Sequence, residues 1–293
     1  MTELFGIPLQ ALLSQLVLGL INGAFYALMS LGLTVIFGML RVINFTHGAQ
    51  FTLGAFGAWM LLSWLGVPYW AALLLVPLLI GLASMAFERT LLRRLYSMDH
   101  LYQLLLTYGL ALIIEGLLSV AHGSSGMPYD NPLPGGIDLG FMFLPYYRAW
   151  VLSTSVVLCL GTWYAIERTS LGARLRAATD NRELVRSFGI NVPRLMTLTY
   201  GIGVALAAIA GVLAAPMDQV RPAMGSGLVI TVFAVVVIGG MGSILGSVVT
   251  GFTLGLLESL TKVYFPSLSS VVIFMIMVAV ILLKPNGLFG RQS

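Results

Sequence analysis

The side chains able to do chemistry in this 293-residue chain are few and scattered. Glu115 and Glu258 each stand in an apolar stretch, where a carboxylate either satisfies a structural hydrogen bond or serves as a proton- or ion-coupling group. Asn44 and His47 share another such stretch. Polar groups in apolar surroundings must find partners, so these two either line a path or gate, or hold a helix break by hydrogen bonding. Asn22 and Tyr26 are one helical turn apart and share a face, suited to touching a solute or to bonding a neighbouring helix. His100 and His122 lie on other loops or ends from His47, so no metal site is expected. No G-x-x-x-x-G-K-[ST] occurs, so ATP is not bound here by a P-loop. No convincing nucleophile–base pair or zinc pattern is present, and the chain is not expected to be an enzyme. Cys159 is the only cysteine, cannot form an internal disulfide, and reads as apolar packing.

The elements holding these residues follow from composition. Hydrophobic residues make up 58%, charged residues 9%, and the mean hydropathy is +0.96. A soluble domain carries about 25% charged residues, so a soluble enzyme is excluded and lipid is the natural solvent. Residues 4–40, 42–87, 149–166, 195–217, 222–257 and 263–283 contain no Asp, Glu, Lys or Arg, and 101–121 contains only Glu115. A helical span needs about 20 apolar residues, whereas barrel strands alternate over about 10. The fold class is therefore all-α: a polytopic membrane helical bundle of about eight to ten spans, one domain over 1–293 without a soluble extension. A cleavable signal peptide is not expected, because the first segment carries Glu3 in place of a basic region and its apolar run is too long. The net charge of +4 does not indicate nucleic acid, because the basic residues sit between spans.

Those basic residues orient the chain. Residues 88–99 carry Arg89, Arg93 and Arg94. Residues 167–194 carry Arg168, Arg174, Arg176, Arg182, Arg186 and Arg194, and the C-terminal tail carries Lys284 and Arg291. The positive-inside rule places all three segments in the cytoplasm and residues 122–148 outside. Four crossings then follow Arg194 if both pieces within 222–260 span: one over 195–217, those two, and one over 263–283. Residues 4–40 are too long for one upright span and too short for two, which predicts one span followed by a broken or re-entrant piece around 32–38. Gly242, Gly246, Gly251 and Gly255, and also Gly19 and Gly23, have the spacing that lets helix backbones approach closely. The tetrapeptide F-T-L-G occurs at Phe51–Gly54 and again at Phe252–Gly255, an echo of the kind internal repeats leave.

The basic segment 168–194 has a pattern of its own. Asp180 is placed to cap a short helix, with Glu183 three residues on as the partner of a capping box. Leu184, Val185 and Phe188 follow as an apolar stripe with Arg186 among them, and Gly189 is a stop. The result is a short amphipathic helix on the cytoplasmic face. It would lie on anionic membrane lipid, dock into the groove of a cytoplasmic partner, or serve as a solvated connector.

This segment resembles the coupling loop of the permease subunits of branched-chain amino-acid ABC importers. Three other segments and the ending are similar to the same family. N-G-A-F-Y-A-L-M-S-L-G-L-T from Asn22 looks like its first-helix signature, and I-N-F-T-H-G from Ile43 looks like its I-N-F-A-H-G box. V-I-G-G-M-G-S-I-L-G from Val237 matches its late glycine motif, and the ending K-P-N-G-L-F-G from Lys284 fits as well. Thr46 stands where alanine is common, and Gln50 where an acidic residue is frequent. The resemblance implies that Asp180, Glu183, Leu184, Val185, Arg186, Phe188 and Gly189 meet an ATPase subunit. It implies a second homologous permease subunit, two ATPase subunits holding ATP and magnesium, and a periplasmic substrate-binding protein, with no cofactor on this chain. The location implied is the bacterial inner membrane. The cargo implied is branched-chain or other small neutral amino acids, with urea, amides or aromatic acids carried by related systems. The competing reading is a stand-alone carrier or channel driven by an ion gradient, with Glu115 and Glu258 as coupling groups.

Overall fold

The computed structural model describes residues 3–4, 7–40 and 42–290, so Arg291 of the basic tail lies outside the described residues. Strands β1 (Glu3–Leu4) and β2 (Ile7–Pro8) form a small antiparallel hairpin before α1, which runs unbroken over Leu9–Leu40. Its 32 residues extend about 48 Å at ~1.5 Å per residue. The break expected around residues 32–38 is therefore absent. Gly32 serves close packing instead: a Cβ there would stand 2.5 Å from the Gly203 carbonyl oxygen and 3.1 Å from the His47 ring.

The other helices are α2 (Thr46–Leu65), α3 (Tyr69–Thr90), α4 (His100–His122), α5 (Tyr146–Arg168), α6 (Ser170–Asp180), α7 (Arg182–Ser187), α8 (Val192–Ala214), α9 (Met224–Gly239), α10 (Ile244–Tyr264) and α11 (Val272–Leu283). A 3-10 turn at Leu92–Leu95 precedes α4, and a hairpin of β3 (Gly136–Asp138) and β4 (Phe143–Pro145) precedes α5. Six helices, α1, α3, α4, α5, α8 and α10, are long and apolar enough to cross a membrane. The apolar α9 and α11 are shorter, at 16 and 12 residues, and α2 has 20 residues with a polar start. Among the described residues six helices therefore have spanning length and composition, fewer than the eight to ten expected. The chain is a multi-pass membrane protein, and α8 to α11 occupy the stretches of the four crossings expected after Arg194, although only α8 and α10 have spanning length.

Two compact units divide the chain, each built from separated stretches. One comprises residues 31–130 and 161–230, with α8 at its centre. Glycine lets its helices meet backbone to backbone: a side chain at Gly54 of α2 would strike Ala208, and one at Gly211 of α8 would strike the Phe51 carbonyl. On α3, Gly81 faces the Gly201 carbonyl. Without water to drive association, such dispersion contacts hold membrane helices together. The faces of α4 and α3 turned away from α8 carry exposed leucines, as a lipid-facing surface requires. At one end of this unit lie the basic segments 88–99 and 167–194, and at the other a backbone bridge joins Met127 to Val220.

The other unit comprises residues 1–30, 131–160 and those from 231 on. Here α1 meets α10 through small residues. A Cβ at Gly23 would stand 2.8 Å from Phe252 Cα, one at Gly251 would stand 2.6 Å from Ala27, and Gly19 faces the Gly255 carbonyl. Apolar residues of α9, α10 and α11, among them Val235, Leu254 and Ile273, form its core. Near the start of α1, Ser14 donates to the Phe141 carbonyl in the β3–β4 hairpin, so these two segments share one end of the unit.

Candidate functional site

The basic segment between α5 and α8 folds into two short helices. α6 turns back on the end of α5, because Gly172 leaves room for the Ile166 carbonyl and Arg176 donates to that same carbonyl. Arg176 also pairs with Glu167 at 3.5 Å. Thr179 donates to the Gly38 carbonyl at 3.4 Å, tying α6 to the far end of α1.

The cap of α7 is Asn181, not Asp180. The Asn181 side chain accepts from the Leu184 N–H at 2.9 Å, whereas Asp180 is the last residue of α6. The predicted capping box with Glu183 is thus displaced by one residue, since the preceding helix uses Asp180 to finish its own last turn. Gly189 ends the element with φ +77°, as expected of a left-handed stop.

The predicted stripe divides into an anchor and a display. Val185 is 5% exposed and belongs to a core that includes Met39, Leu40, Leu175, Val192 and Met196. Leu184 and Phe188 are 55% and 76% exposed. Asp180, Arg182, Glu183 and Arg186 surround them at the surface. A six-residue helix would not persist alone. The Asn181 cap and the buried Val185 hold it so that two apolar knobs stand out among charges.

A buried carboxylate lies nearby in the same unit. Glu88, at the end of α3, is fully buried and accepts from Arg93 at 3.1 Å, Tyr96 at 2.9 Å and Thr197 at 2.6 Å. Arg93 also donates to the Pro193 carbonyl. Burial, reinforced by the Glu88 charge, pushes the Tyr96 hydroxyl well above its usual range, so it remains a donor. This cluster binds the first two turns of α8 to the end of α3. In the sequence Glu88 looks like an interfacial charge at the edge of an apolar run, and the one signal of the cluster is an arginine five residues on.

Asn44 and His47 are both fully buried at the α1–α2 connection. Thr46 donates to Asn44 Oδ1 at 2.7 Å, Asn44 donates to Gln50 Oε1 at 3.3 Å, and Gln50 donates to the Tyr200 hydroxyl at 3.4 Å. Thr107 of α4 donates to the Ile43 carbonyl and accepts from the Phe45 N–H. These bonds hold the Asn44 side chain between the end of α1 and the start of α2. The two positions that depart from the I-N-F-A-H-G pattern, Thr46 and Gln50, belong to one network.

In the other unit Tyr26 donates to Glu258 Oε2 at 2.7 Å, and Lys262 pairs with Glu258 Oε1 at 2.7 Å. Tyr26 therefore bonds helix to helix, and Glu258 is held by two partners. Asn22 stays half-buried one turn away. Of the four late glycines, Gly246, Gly251 and Gly255 meet neighbouring backbone as expected. Gly242 does not belong with them: it lies in the α9–α10 turn with φ +92°. That turn meets the chain's ending, with Leu288 donating to the Ile238 carbonyl at 2.8 Å and Phe289 to the Gly239 carbonyl at 3.2 Å. Among the described residues, no group of three or more His, Cys, Asp or Glu could hold a metal ion.

Residues 15–281 match the protein family described as "Branched-chain amino acid transport system / permease component". The chain belongs to this family. The permease is 29% identical to the high-affinity branched-chain amino acid transport system permease protein BraD of Pseudomonas aeruginosa, over 96% of both chains. It is 28% identical to the permease protein LivH of Escherichia coli, again over 96% of both. A probable branched-chain amino acid transport permease protein of Methanocaldococcus jannaschii is 29% identical over 90% of this chain and 88% of its own. The permease thus spans nearly the full length of these relatives, and the glycine contacts, the Asn44 network and the α6–α7 element all lie inside the matched range.

Proposed function

We propose that this permease is the membrane subunit of a bacterial ABC importer that moves branched-chain or other small neutral amino acids inward. The observation that carries the reading is the α7 display: Phe188 and Leu184 exposed beside a buried Val185. An apolar knob held rigidly among charges fits the groove of a partner protein. The names of the relatives support the cargo class, and the family's description as one component of a transport system supports the assembly we propose: a second homologous permease, two ATPase subunits that hold ATP and magnesium, and a periplasmic binding protein.

The residues suggest how force would enter the permease. A push on Phe188 moves α7, and Val185 passes that displacement to Met39 and Leu40 of α1 and to Val192 and Met196 of α8. The Glu88 cluster carries it on to α3. The path is short and closely packed, so small shifts are transmitted rather than absorbed. The positive-inside rule supports a cytoplasmic α6–α7 face, and for the C-terminus the same reading rests on Lys284.

The test is a mild-detergent pull-down of the tagged permease from native membranes, with the co-purifying proteins identified by mass spectrometry. ATPase subunits and a second permease are expected. Phe188→Asp places a charge in an apolar contact and is expected to abolish ATPase recovery while leaving the permease in the membrane. Unchanged recovery and unchanged transport with Phe188→Asp would remove α7 from the contact. A permease that purifies alone and transports without ATP would overturn the importer reading.

A further inference from the structure

A cavity of about 280 Å³ opens among α2, α4 and the start of α9, all within the unit centred on α8. Its walls are largely apolar, with Phe45, Ile114, Val229 and Ile230 among them. Glu115 also lines it, the one charged side chain to do so among the described residues. Tyr108, Ala111, Leu112 and Glu115 reach the cavity from one face of α4, at the spacing of successive helical turns.

Glu115 is unlike the other carboxylates of the long apolar helices, each of which has an ion-pair partner. Glu88 has three donors, and Glu258 has Lys262 and Tyr26. The Glu115 carboxylate has no hydrogen-bond or ion-pair partner among the described residues. An ionisable group at membrane depth is expensive unless it has a partner, and such groups mark the paths of solutes and ions. A cavity that combines one carboxylate with aliphatic walls suits a small solute with one cationic group and an apolar body. It disfavours a solute whose only charge is negative.

We propose that the Glu115 cavity is a cargo-contact site on this permease, taking the α-ammonium group of an aliphatic amino acid at Glu115 and its side chain against Ile114, Val229 and Ile230. The inference rests on the amino-acid reading above and adds a place for the cargo within this chain. The volume lies near the lower bound for small-molecule sites, as a single amino acid requires. Pro222 and Ser226 bring the start of α9 to the same cavity, and the positive end of that helix suits the α-carboxylate. Thr52 fixes this wall by accepting from the Gly225 N–H at 3.1 Å.

The experiment is ATP-driven uptake of radiolabelled L-leucine by the complete native complex, purified with its partners and reconstituted in liposomes. Glu115→Gln is expected to lower uptake at saturating binding protein at least tenfold, with ATPase subunits still co-purifying, and Glu115→Asp is expected to restore part of the loss. Wild-type complex that fails to move leucine would overturn the cargo reading and this inference with it. Wild-type uptake matched by Glu115→Gln would overturn the cavity alone. Should Glu115→Gln fail to assemble, Ala111→Phe decides: it fills the cavity from the same helix face. A tenfold loss there supports the site, and unchanged uptake overturns it.

Discussion

Thr197 donates to Glu88 at 2.6 Å across 109 residues of sequence, pinning the second turn of α8 to the end of α3. The carboxylate has no exposure, whereas its cation, Arg93, keeps a third of its side chain exposed. Removing the arginine leaves a buried charge, which is worse than removing the pair. Arg93→Ala is expected to cost about 3 kcal/mol in stability. Arg93→Ala combined with Glu88→Leu should recover much of that loss. Thermal unfolding of the purified permease in detergent measures both, and a double variant no more stable than the single one would contradict the prediction.

The glycines divide into two sorts, and substitution separates them. A methyl group at Gly211 would meet the Phe51 carbonyl, whereas one at Gly109 meets nothing within 4 Å. Gly211→Ala is expected to destabilise by about 1–3 kcal/mol through overpacking. Gly109→Ala should stabilise by about 0.5–1 kcal/mol, by restricting the unfolded backbone. Melting temperatures of the two variants should move in opposite directions.

Asn181 and Asp180 offer a local test of the α7 cap. Asn181→Ala removes the acceptor for the Leu184 N–H and is expected to cost about 1 kcal/mol of helix stability. Hydrogen exchange at Leu184 and Val185 should accelerate about fivefold, while Asp180→Ala leaves both amides nearly unchanged. Equal effects from the two variants would restore the capping box.

Tyr129, in the segment after α4, has a buried hydroxyl without a hydrogen-bond partner among the described residues. Burial, with Tyr69 and Asp130 adding to it, pushes its pKa up to about 12. An acid whose pKa is raised by folding favours the folded state fully below its unfolded value near 10, and this contribution is lost as pH climbs towards 12. Tyr129→Phe is expected to stabilise by about 1 kcal/mol at neutral pH, because it removes an unsatisfied buried group. The gap over wild type should widen from pH 10 to 12, which melting curves collected across that range would show.

Much of the fold was legible because lipid imposes long uncharged runs. α8 to α11 fall where apolar stretches and isolated charges put them, and Gly189 stops α7 where a left-handed residue was expected. The repeated F-T-L-G has a physical counterpart as well: Gly54 on α2 and Gly255 on α10 each meet a neighbouring helix at backbone distance, Ala208 in one case and Gly23 in the other. Hydropathy is blind to α6, since Ser170–Asp180 is polar and arginine-rich and its helix depends on docking under α5. The same blindness displaced the α7 cap. Gly32 suggested a break because glycine weakens helices, yet its cause is the Gly203 contact, 171 residues away in sequence. The Glu115 residue was legible from composition, whereas its cavity was not, since α2 and α9 approach α4 only in the folded chain.

The bond between Gln50 and Tyr200 spans 150 residues, so the two ends of the polar network do not leave the ribosome together. At a synthesis rate of about 5–20 residues per second, Gln50 emerges roughly 8–30 seconds before Tyr200. Throughout that interval α2 carries an amide destined for the protein interior with α8 not yet made. Until α8 arrives, the Gln50 amide has only Asn44, six residues back, to bond, and its own N–H groups wait for Tyr200. The polar box that settles the α1–α2 connection in the finished permease therefore also sets a timetable for its birth.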